Sequence, residues 1–247
     1  MIVMLLVAGY ATRLYPLTRD VPKALLPIGG RPMLDYIADQ IDTLDGISKI
    51  VVVSNAKYAD AFRDWAATRT QGAPVTVLDD GTVENGHRLG AVGDIAFGIE
   101  TENIDEDLLV IAGDNLFTFQ LADAVAFFRE RYEDTVLVGH LPAGEDARRF
   151  AVVQLDEDNR VIDMVEKPTH PIGDIIAYAV YFYRRDTLPL IRQYLDEGNN
   201  PDAPGYFPSW LHQRKPVRAF LFEGMCIDIG TPEVYGRVKE GLPRVHD

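Results

Sequence analysis

Short runs of apolar and often β-branched residues recur along the first part of the chain and alternate with segments of helical periodicity. Continuous apolar runs of this length are typical of strands that are buried on both faces of a sheet. The runs are IVMLLVA, KIVVVS, PVTVLD, DLLVIAGD and TVLVGH. Apolar residues return at helical spacing at Leu34, Ile37, Ile41 and Leu44, and again at Leu121, Ala124, Val125, Phe128 and Tyr132. The alternation predicts a mostly parallel sheet built through right-handed crossovers.

The pattern changes from about Phe150 onward. The stretch FAVVQLDEDNRVIDMVEKP predicts a hairpin whose turn is residues 156–159, and IIAYAVYFY predicts a further strand. The stretches PVRAFLFEG and MCIDIG predict two more strands before a final helix from about Pro232 to Lys239. The pattern predicts one α/β domain, in which the second half adds antiparallel strands over one end of a parallel sheet.

Length and composition fit this prediction. With 247 residues, of which 47% are hydrophobic, the chain is long enough to bury a substantial core. The apolar segment 1–8 lacks a basic leader and a cleavage site, so we expect a first strand and not a signal peptide. No apolar run approaches the roughly 20 residues that a membrane span requires. We therefore expect a cytoplasmic protein, whose single cysteine, Cys226, rules out an internal disulfide framework.

The formal net charge of −14 disfavours nucleic acids and anionic membranes as partners, because both need many exposed Lys and Arg residues. An anionic ligand would have to be held by a local group of cations. The loop after the first predicted strand, AGYATR, lies where the ligand crevice of an open α/β sheet is expected. Gly9 would let the backbone approach phosphate oxygens, while Arg13 and Lys23 would add positive charge. The alternative is a glycine turn followed by solvated cations.

Two aspartates are predicted to emerge at strand ends near the same edge. Asp114 follows the run DLLVIAG, and Asp228 ends the run MCID. Carboxylate oxygens suit Mg²⁺, which typically takes one or two protein carboxylates together with substrate phosphates. Either residue taken alone is typical of a turn or a helix cap. Asp94, in GAVGDIAFG, is expected in the first turn or on the exposed face of a helix.

Four motifs in order carry a resemblance to a known family. The stretch AGYATRLYPLTRDVPKALLPIGGRPM is similar to the signature GGxGTRLxPxTxxxPKxLLPxxxKPM, and AGDN, VEKP and DIGTPE follow it. The chain thereby resembles the sugar-1-phosphate nucleotidyltransferases, and its pattern is nearest to glucose-1-phosphate thymidylyl- and uridylyltransferases. The resemblance implies a Rossmann-like three-layer α/β/α fold with a mixed, mostly parallel sheet. It also implies transfer of a nucleotidyl group from a nucleoside triphosphate to a sugar 1-phosphate, with release of pyrophosphate.

The resemblance further implies roles for individual residues. Arg13, Lys23, Asp114 and Asp228 would be catalytic, and the two aspartates would share one Mg²⁺. The nucleotide would lie against Ala8, Gly9, Tyr10, Ala11, Thr12, Arg13 and Gly90. The sugar phosphate would be bound by Glu166 and Lys167, with Tyr178 as a further candidate that could equally belong to the core. Residues 1–140 would form the nucleotide-binding half of the domain and residues 141–247 the sugar-phosphate half.

Three positions depart from the family pattern. Ala11 stands where the signature has glycine, Ala151 where Tyr-Gly is common, and Ala179 where Ala-Gly or Thr-Gly is common. An alanine forced to a positive φ would cost on the order of 1 kcal/mol or more. One added methyl group in a pocket is also worth roughly 1 to 3 kcal/mol of discrimination between substrates. An altered sugar specificity or an inactive relative would each fit these replacements.

Several alternatives remain open at this point. Uracil or thymine is the expected base, with guanine, and mannose 1-phosphate or a related sugar phosphate, as the runner-up. A noncatalytic nucleotide-binding relative would bind nucleotide without turnover. A nicotinamide-dependent oxidoreductase would need GxGxxG after the first strand, and a glycosyltransferase would need a DxD motif after a hydrophobic strand; the sequence has neither. The sequence has no hexapeptide repeat, so we expect no appended β-helix domain. The resemblance also makes a homo-oligomer possible, because homo-oligomers are common in that family.

Overall fold

The computed structural model of the protein describes residues 1–241. The strands are β1 (Ile2–Leu6), β2 (Pro27–Ile28), β3 (Arg31–Pro32), β4 (Lys49–Ser54), β5 (Val75–Asp79), β6 (Leu108–Ala112), β7 (Asn115–Phe117), β8 (Asp134–His140), β9 (Ala151–Leu155), β10 (Val161–Glu166), β11 (Ile175–Tyr183), β12 (Val217–Leu221) and β13 (Cys226–Asp228). The α-helices are α1 (Met33–Asp42), α2 (Ala59–Thr68), α3 (Ala91–Glu102), α4 (Leu121–Arg131), α5 (Leu188–Asp196), α6 (Tyr206–Leu211) and α7 (Pro232–Val238).

A nine-stranded mixed sheet forms the centre of the molecule. Its first part is parallel, in the order β6-β1-β4-β5, and Leu5 of β1 lies between Ile111 of β6 and Val52 of β4. β1, β4 and β6 are buried on both faces, which explains why their sequences are almost continuously apolar. The run PVTVLD was expected to be buried in the same way, but β5 is the edge strand and is only partly buried. The carboxyl ends of the parallel strands meet at one edge, where β1 leads into the loop with Gly9 and β6 leads to Asp114.

The second half of the chain extends the sheet with antiparallel strands. β11 runs antiparallel to β6, β8 and β9, and the hairpin β9–β10 continues the sheet from there. β12 pairs in parallel with β8 on the other branch. The predicted α/β fold with a mixed central sheet and antiparallel strands in its second half is confirmed.

Two hydrophobic clusters, one on each face of the sheet, make the fold three-layered. One cluster contains the apolar sides of α1, α2 and α4, and the other contains those of α3, α5 and α6. Within residues 1–241, none of the helices has the length and apolar character needed to cross a membrane.

The predicted helices differ from the observed ones at their ends. α1 ends at Asp42, so Leu44 lies beyond it, and α4 ends at Arg131, where Tyr132 takes a left-handed conformation with φ 49°. Both residues still pack near the helix end, which preserves the apolar spacing without helical backbone. The short pairing of β7 with β13 was not predicted from the sequence, because three-residue strands carry almost no periodic signal.

Candidate active site

The loop that follows β1 approaches open space at the carboxyl edge of the sheet. Gly9 is exposed, and a Cβ atom built on it would meet nothing within 4 Å. Ala11 has φ 46° and ψ 43° and precedes a short 3-10 turn at Thr12–Leu14. Its carbonyl oxygen accepts hydrogen bonds from Thr18 Oγ1 at 2.8 Å and from the Leu14 amide at 2.9 Å. The loop therefore holds a left-handed alanine at the position where the family pattern has glycine.

Replacing Ala11 with glycine is expected to raise the free energy of unfolding by about 1 kcal/mol, because only a residue with a Cβ atom is strained in the left-handed region. Urea denaturation of the purified variant measures the change. Ala179→Gly is the matched control: Ala179 lies in β11 with extended backbone, so glycine should lower stability there. Equal effects at the two positions would contradict the strain argument.

Lys23 joins the two aspartates. Its Nζ donates hydrogen bonds to Asp114 Oδ2 at 2.8 Å and to Asp228 Oδ1 at 3.0 Å. The lysine side chain is only 10% exposed, whereas those of Asp114 and Asp228 are 42% and 40% exposed. Burial disfavours the charged lysine, but the two carboxylates outweigh it and raise the pKa of Lys23 above its usual range. The ammonium group is therefore fixed in its charged form between the two acids.

The local fold explains why residues so far apart in sequence meet. Asp114 lies in the turn between β6 and β7, directly after Gly113, where an added Cβ would overlap Val7 of the β1 edge. Asp228 lies opposite Asn115 in the antiparallel pairing of β13 with β7. The pairing thus sets Asp228 beside the turn that carries Asp114, and both carboxylates keep oxygens accessible to a ligand.

Glu166 and Lys167 end the β9–β10 hairpin with opposite environments. The Glu166 side chain is 8% exposed, whereas that of Lys167 is 46% exposed. Burial, reinforced by the charge of Asp202 and partly offset by Lys167, raises the pKa of Glu166 to about 7. Lys167 leaves the strand with φ 48°, and its amide bonds the Phe150 carbonyl at 3.0 Å. The turn lets adjacent residues present a buried carboxyl and an accessible ammonium group.

One segment, Pro201–Gly205, contacts elements from both halves of the site. Gly90 has φ 82°, and a Cβ there would lie 2.5 Å from the Pro201 carbonyl oxygen. The first amides of α3, at Ala91 and Val92, bond the carbonyls of Asp202 and Pro201. At its other end, a Cβ on Gly205 would overlap the carboxylate of Glu166. The close backbone approach requires glycine at residue 90, whereas a side chain at residue 205 would force the Glu166 carboxylate to move.

The remaining predicted residues surround these groups. Arg13 is exposed on the loop after β1, while Tyr10 is buried and its hydroxyl lies 3.4 Å from Thr82 Oγ1. Tyr178 is 6% exposed, and its ring packs against Phe222 at 5.3 Å between centroids. Burial raises the pKa of Tyr178 above its usual range. Its surroundings are those of a core residue that borders the site.

A buried carboxyl group, Asp94, with the half-buried Asp80 beside it, was not predicted from the sequence. Asp94 lies in the first turn of α3, as expected, but it is 7% exposed and not on an exposed face. Asp80 accepts hydrogen bonds from the Thr82 amide and hydroxyl, both at 2.7 Å. Burial, followed by the charge and hydrogen bond of Asp80, raises the pKa of Asp94 to about 8. Asp94 therefore keeps its proton near neutral pH beside Asp80, and Asp80 is connected through Thr82 to the Tyr10 hydroxyl.

The pair gives a pH dependence of stability with a definite sign. Folded protein keeps the Asp94 proton up to about pH 8, whereas the unfolded chain loses it near its usual value of 3.8. The native state binds more protons in this window, so its free energy of unfolding falls as the pH rises, by on the order of a few kcal/mol in total. Asp94→Asn should remove that fall, because an amide donates to Asp80 at every pH.

Urea denaturation at a series of pH values from 5 to 8.5 tests this expectation. The difference in stability between Asp94→Asn and the unmodified protein should grow as the pH rises. Asp79→Asn, at the exposed neighbouring position, should keep the slope of the unmodified protein. If the free energy of unfolding depends on pH in the same way in the unmodified protein and in Asp94→Asn, Asp94 does not keep an additional proton in the folded state.

Comparisons with known proteins agree with the motifs. The family described as nucleotidyl transferase matches residues 2–244. The chain is 30% identical to the UTP–glucose-1-phosphate uridylyltransferase AglF of Haloferax volcanii, over 93% of this chain and 91% of that protein. It is 28% identical to a glucose-1-phosphate adenylyltransferase of Geobacillus stearothermophilus, over 93% of this chain and 62% of that protein. The chain thus spans less than two thirds of the length of some relatives.

A solved structure shares the fold. The crystal structure of a UDP-glucose pyrophosphorylase complexed with UDP-glucose superposes with a TM-score of 0.81, covering 96% of each chain at 19% identity. The agreement over nearly the whole length extends to both the parallel part of the sheet and the antiparallel strands of the second half.

Proposed function

The chain belongs to the nucleotidyl transferase family, and from that premise we propose that it is a Mg²⁺-dependent sugar-1-phosphate nucleotidyltransferase. A phosphate oxygen of the sugar 1-phosphate would form a bond to the α-phosphorus of a nucleoside triphosphate. The bond from that phosphorus to the bridging oxygen would break in line, and pyrophosphate would leave with the electron pair. The observation that carries the proposal is the contact of Lys23 with both Asp114 and Asp228 beside the loop after β1.

This chemistry makes modest demands on proton transfer. The attacking phosphate oxygen is already ionised, so the site needs no general base. The difficulty is to bring two polyanions together, which makes catalysis a matter of positioning and charge neutralisation. Arg13 would neutralise the triphosphate, with the exposed backbone of residues 8–12 against its oxygens. Lys167 would bind the sugar phosphate, and Glu166 would accept hydrogen bonds from sugar hydroxyls.

Asp114 and Asp228 have the character of Mg²⁺ ligands. They offer hard carboxylate oxygens, they are held together by one ammonium group, and both side chains are about two-fifths exposed. Two carboxylates completed by substrate phosphates and water are the donor set that Mg²⁺ prefers in such sites. The ion would supply charge neutralisation and hold the reacting phosphates. Lys23 would stabilise the charge that develops on the leaving pyrophosphate.

We propose dTTP or UTP as the nucleotide. The 30% identity to a uridylyltransferase along nearly the full length of both proteins supports a pyrimidine. GTP with mannose 1-phosphate is the runner-up.

A matrix of nucleoside triphosphates and sugar 1-phosphates tests the proposal. The triphosphates are UTP, dTTP, GTP, ATP and CTP, and the sugars are the 1-phosphates of glucose, galactose, mannose and N-acetylglucosamine. We expect Mg²⁺-dependent pyrophosphate release with UTP or dTTP and one or more of the sugars. No release with any pair, from protein that still binds nucleotide, would identify a noncatalytic member of the family.

A further inference from the structure

Arg149 lies in the short 3-10 turn Ala147–Arg149 that leads into β9. Its Nη1 donates a hydrogen bond to Glu145 Oε2 at 2.8 Å. The other terminal nitrogen, Nη2, faces Gly230: a Cβ built on this glycine would lie 3.7 Å from it. The same Cβ position lies 3.3 Å from Asp228 Oδ2. The guanidinium group and the carboxylate therefore lie on either side of the position that a side chain at residue 230 would occupy.

The orientation of Asp228 shows which of its two carboxylate oxygens lies beside Gly230. Its Oδ1 accepts the hydrogen bond from Lys23, so Oδ2 is the oxygen that faces Arg149. A phosphate bound beside Asp228 on this side would lie next to a guanidinium Nη2. Arginine presents its N–H groups in a planar fork that matches phosphate oxygens, and such charge-assisted hydrogen bonds are among the stronger ones in proteins.

The backbone links Arg149 to the sugar-phosphate side of the site. Phe150, the next residue, accepts a hydrogen bond from the Lys167 amide at 3.0 Å. Arg149 and Lys167 therefore start from paired backbone segments at one end of the β9–β10 hairpin. The sugar phosphate, which Lys167 would bind, is the substrate group nearest to this pair.

The net charge of the site also favours a role for a further cation in binding the substrates. Lys23 is bonded to two carboxylates, and these three side chains together carry a net charge of −1, so they add no net positive charge for the sugar phosphate. Glu166 and Glu145 add negative charge on the sugar side. Two substrates that are both polyanions need more positive charge there than Lys167 alone provides.

We propose that Arg149 binds the phosphate of the sugar 1-phosphate in the space beside Asp228 and Gly230. The inference rests on the proposed function, since it assigns a residue to one of the two substrates. The ion pair with Glu145 holds the guanidinium plane toward this space, and Nη2 is the group that reaches the phosphate.

Kinetics of Arg149→Ala test the assignment, with the substrate pair that releases pyrophosphate fastest. We expect the KM for the sugar 1-phosphate to rise roughly tenfold to a hundredfold, as for a lost hydrogen bond to a charged group, with little change in the KM for the triphosphate. Arg149→Lys should recover part of the loss. Arg148→Ala is the matched control, because the neighbouring Arg148 is exposed and pairs with Asp146.

Glu145→Gln separates phosphate binding from a structural role of the ion pair. Glutamine keeps an oxygen that can accept the Arg149 Nη1 hydrogen bond and so hold the guanidinium group in place, but it removes the charge of the ion pair. The KM for the sugar phosphate should therefore stay near that of the unmodified protein. Equal losses in Glu145→Gln and Arg149→Ala, or equal behaviour of Arg149→Ala and Arg148→Ala, would overturn the inference.

Thermal stabilisation by glucose 1-phosphate and by mannose 1-phosphate gives a readout that does not depend on turnover. The unmodified protein and Arg148→Ala should be stabilised by at least one of them, and Arg149→Ala should be stabilised less. If this difference appears while no substrate pair releases pyrophosphate, the proposed function fails and the assignment of Arg149 stands. If neither sugar phosphate stabilises the unmodified protein, the assignment is wrong.

Discussion

Asp114→Asn is expected to reduce turnover by about three orders of magnitude while leaving the fold intact. Asparagine keeps an oxygen for the Lys23 hydrogen bond, which is 2.8 Å long in the protein, but it removes the negative charge. Loss of a charged metal ligand should forfeit several kcal/mol of transition-state stabilisation, and each 1.36 kcal/mol is a factor of ten in rate. Pyrophosphate release at saturating substrate measures the loss.

Asp107→Asn is the matched control for this experiment, because Asp107 precedes the opposite end of the same strand, β6. Its carboxylate accepts a hydrogen bond from the Arg185 amide at 2.8 Å, which asparagine also accepts. The control should turn over normally. Near-normal turnover of Asp114→Asn would show that the assignment of Asp114 to the metal is wrong.

Lys23→Met should lower turnover roughly 10²- to 10³-fold, the usual effect of removing one preorganised group that stabilises transition-state charge. Methionine fills most of the buried volume of the lysine side chain, so the loss reflects the missing ammonium group. The two carboxylates would then repel each other. We therefore expect a lower melting temperature in the presence of a chelator, and recovery when Mg²⁺ is added.

The recovery separates two explanations of a slow Lys23→Met variant. A variant that Mg²⁺ restabilises has an intact acidic pair and lacks only the catalytic charge. A variant whose melting temperature does not respond to Mg²⁺ would contradict the idea that both aspartates bind one ion. Lys239→Met, at the exposed residue that directly follows α7, changes the net charge equally and should affect neither measurement.

The fold was largely predictable because its strands are buried on both faces and its helices are amphipathic. Such segments have a strong periodic signal, and β1, β4, β6 and β11 lie where the apolar runs predict them. Connections that depend on tertiary contacts were not predictable. The pairing of β7 with β13 joins three-residue strands about a hundred residues apart in sequence, and it is fixed by packing and not by local propensity.

The site was predictable only in part. Motifs identified Lys23, Asp114 and Asp228, but they could not show that the lysine bonds both acids, which depends on how β13 pairs with β7. The burial of Asp94 was not predicted, because Asp80, whose charge adds to the rise of its pKa, comes from the loop after β5, far from α3 in sequence. The left-handed conformation of Ala11 confirms that one of the three replacements of glycine requires a positive φ, whereas Ala151 and Ala179 lie in strands.

Arg149 had a faint sequence signal, since it directly precedes the FAV segment at which the chain departs from the family pattern. Arg149 belongs to none of the four motifs, so the sequence alone assigns it no role. Its relevance comes from the missing side chain at Gly230, which is visible only when the backbone of both segments is placed.

The segment Pro201–Gly205 has a consequence for how this protein can evolve or be engineered. It packs against Gly90 at one end, where the backbone contact requires glycine, and against the Glu166 side chain at the other, where a Cβ on Gly205 would displace the carboxylate. Inserting or deleting a residue in this segment would shift its contacts with Gly90 and with Glu166 at the same time. With the roles proposed for Gly90 and Glu166, libraries that vary this segment should change nucleotide and sugar preference together. A change of one preference alone is better sought at residues beside Gly90 or beside Glu166.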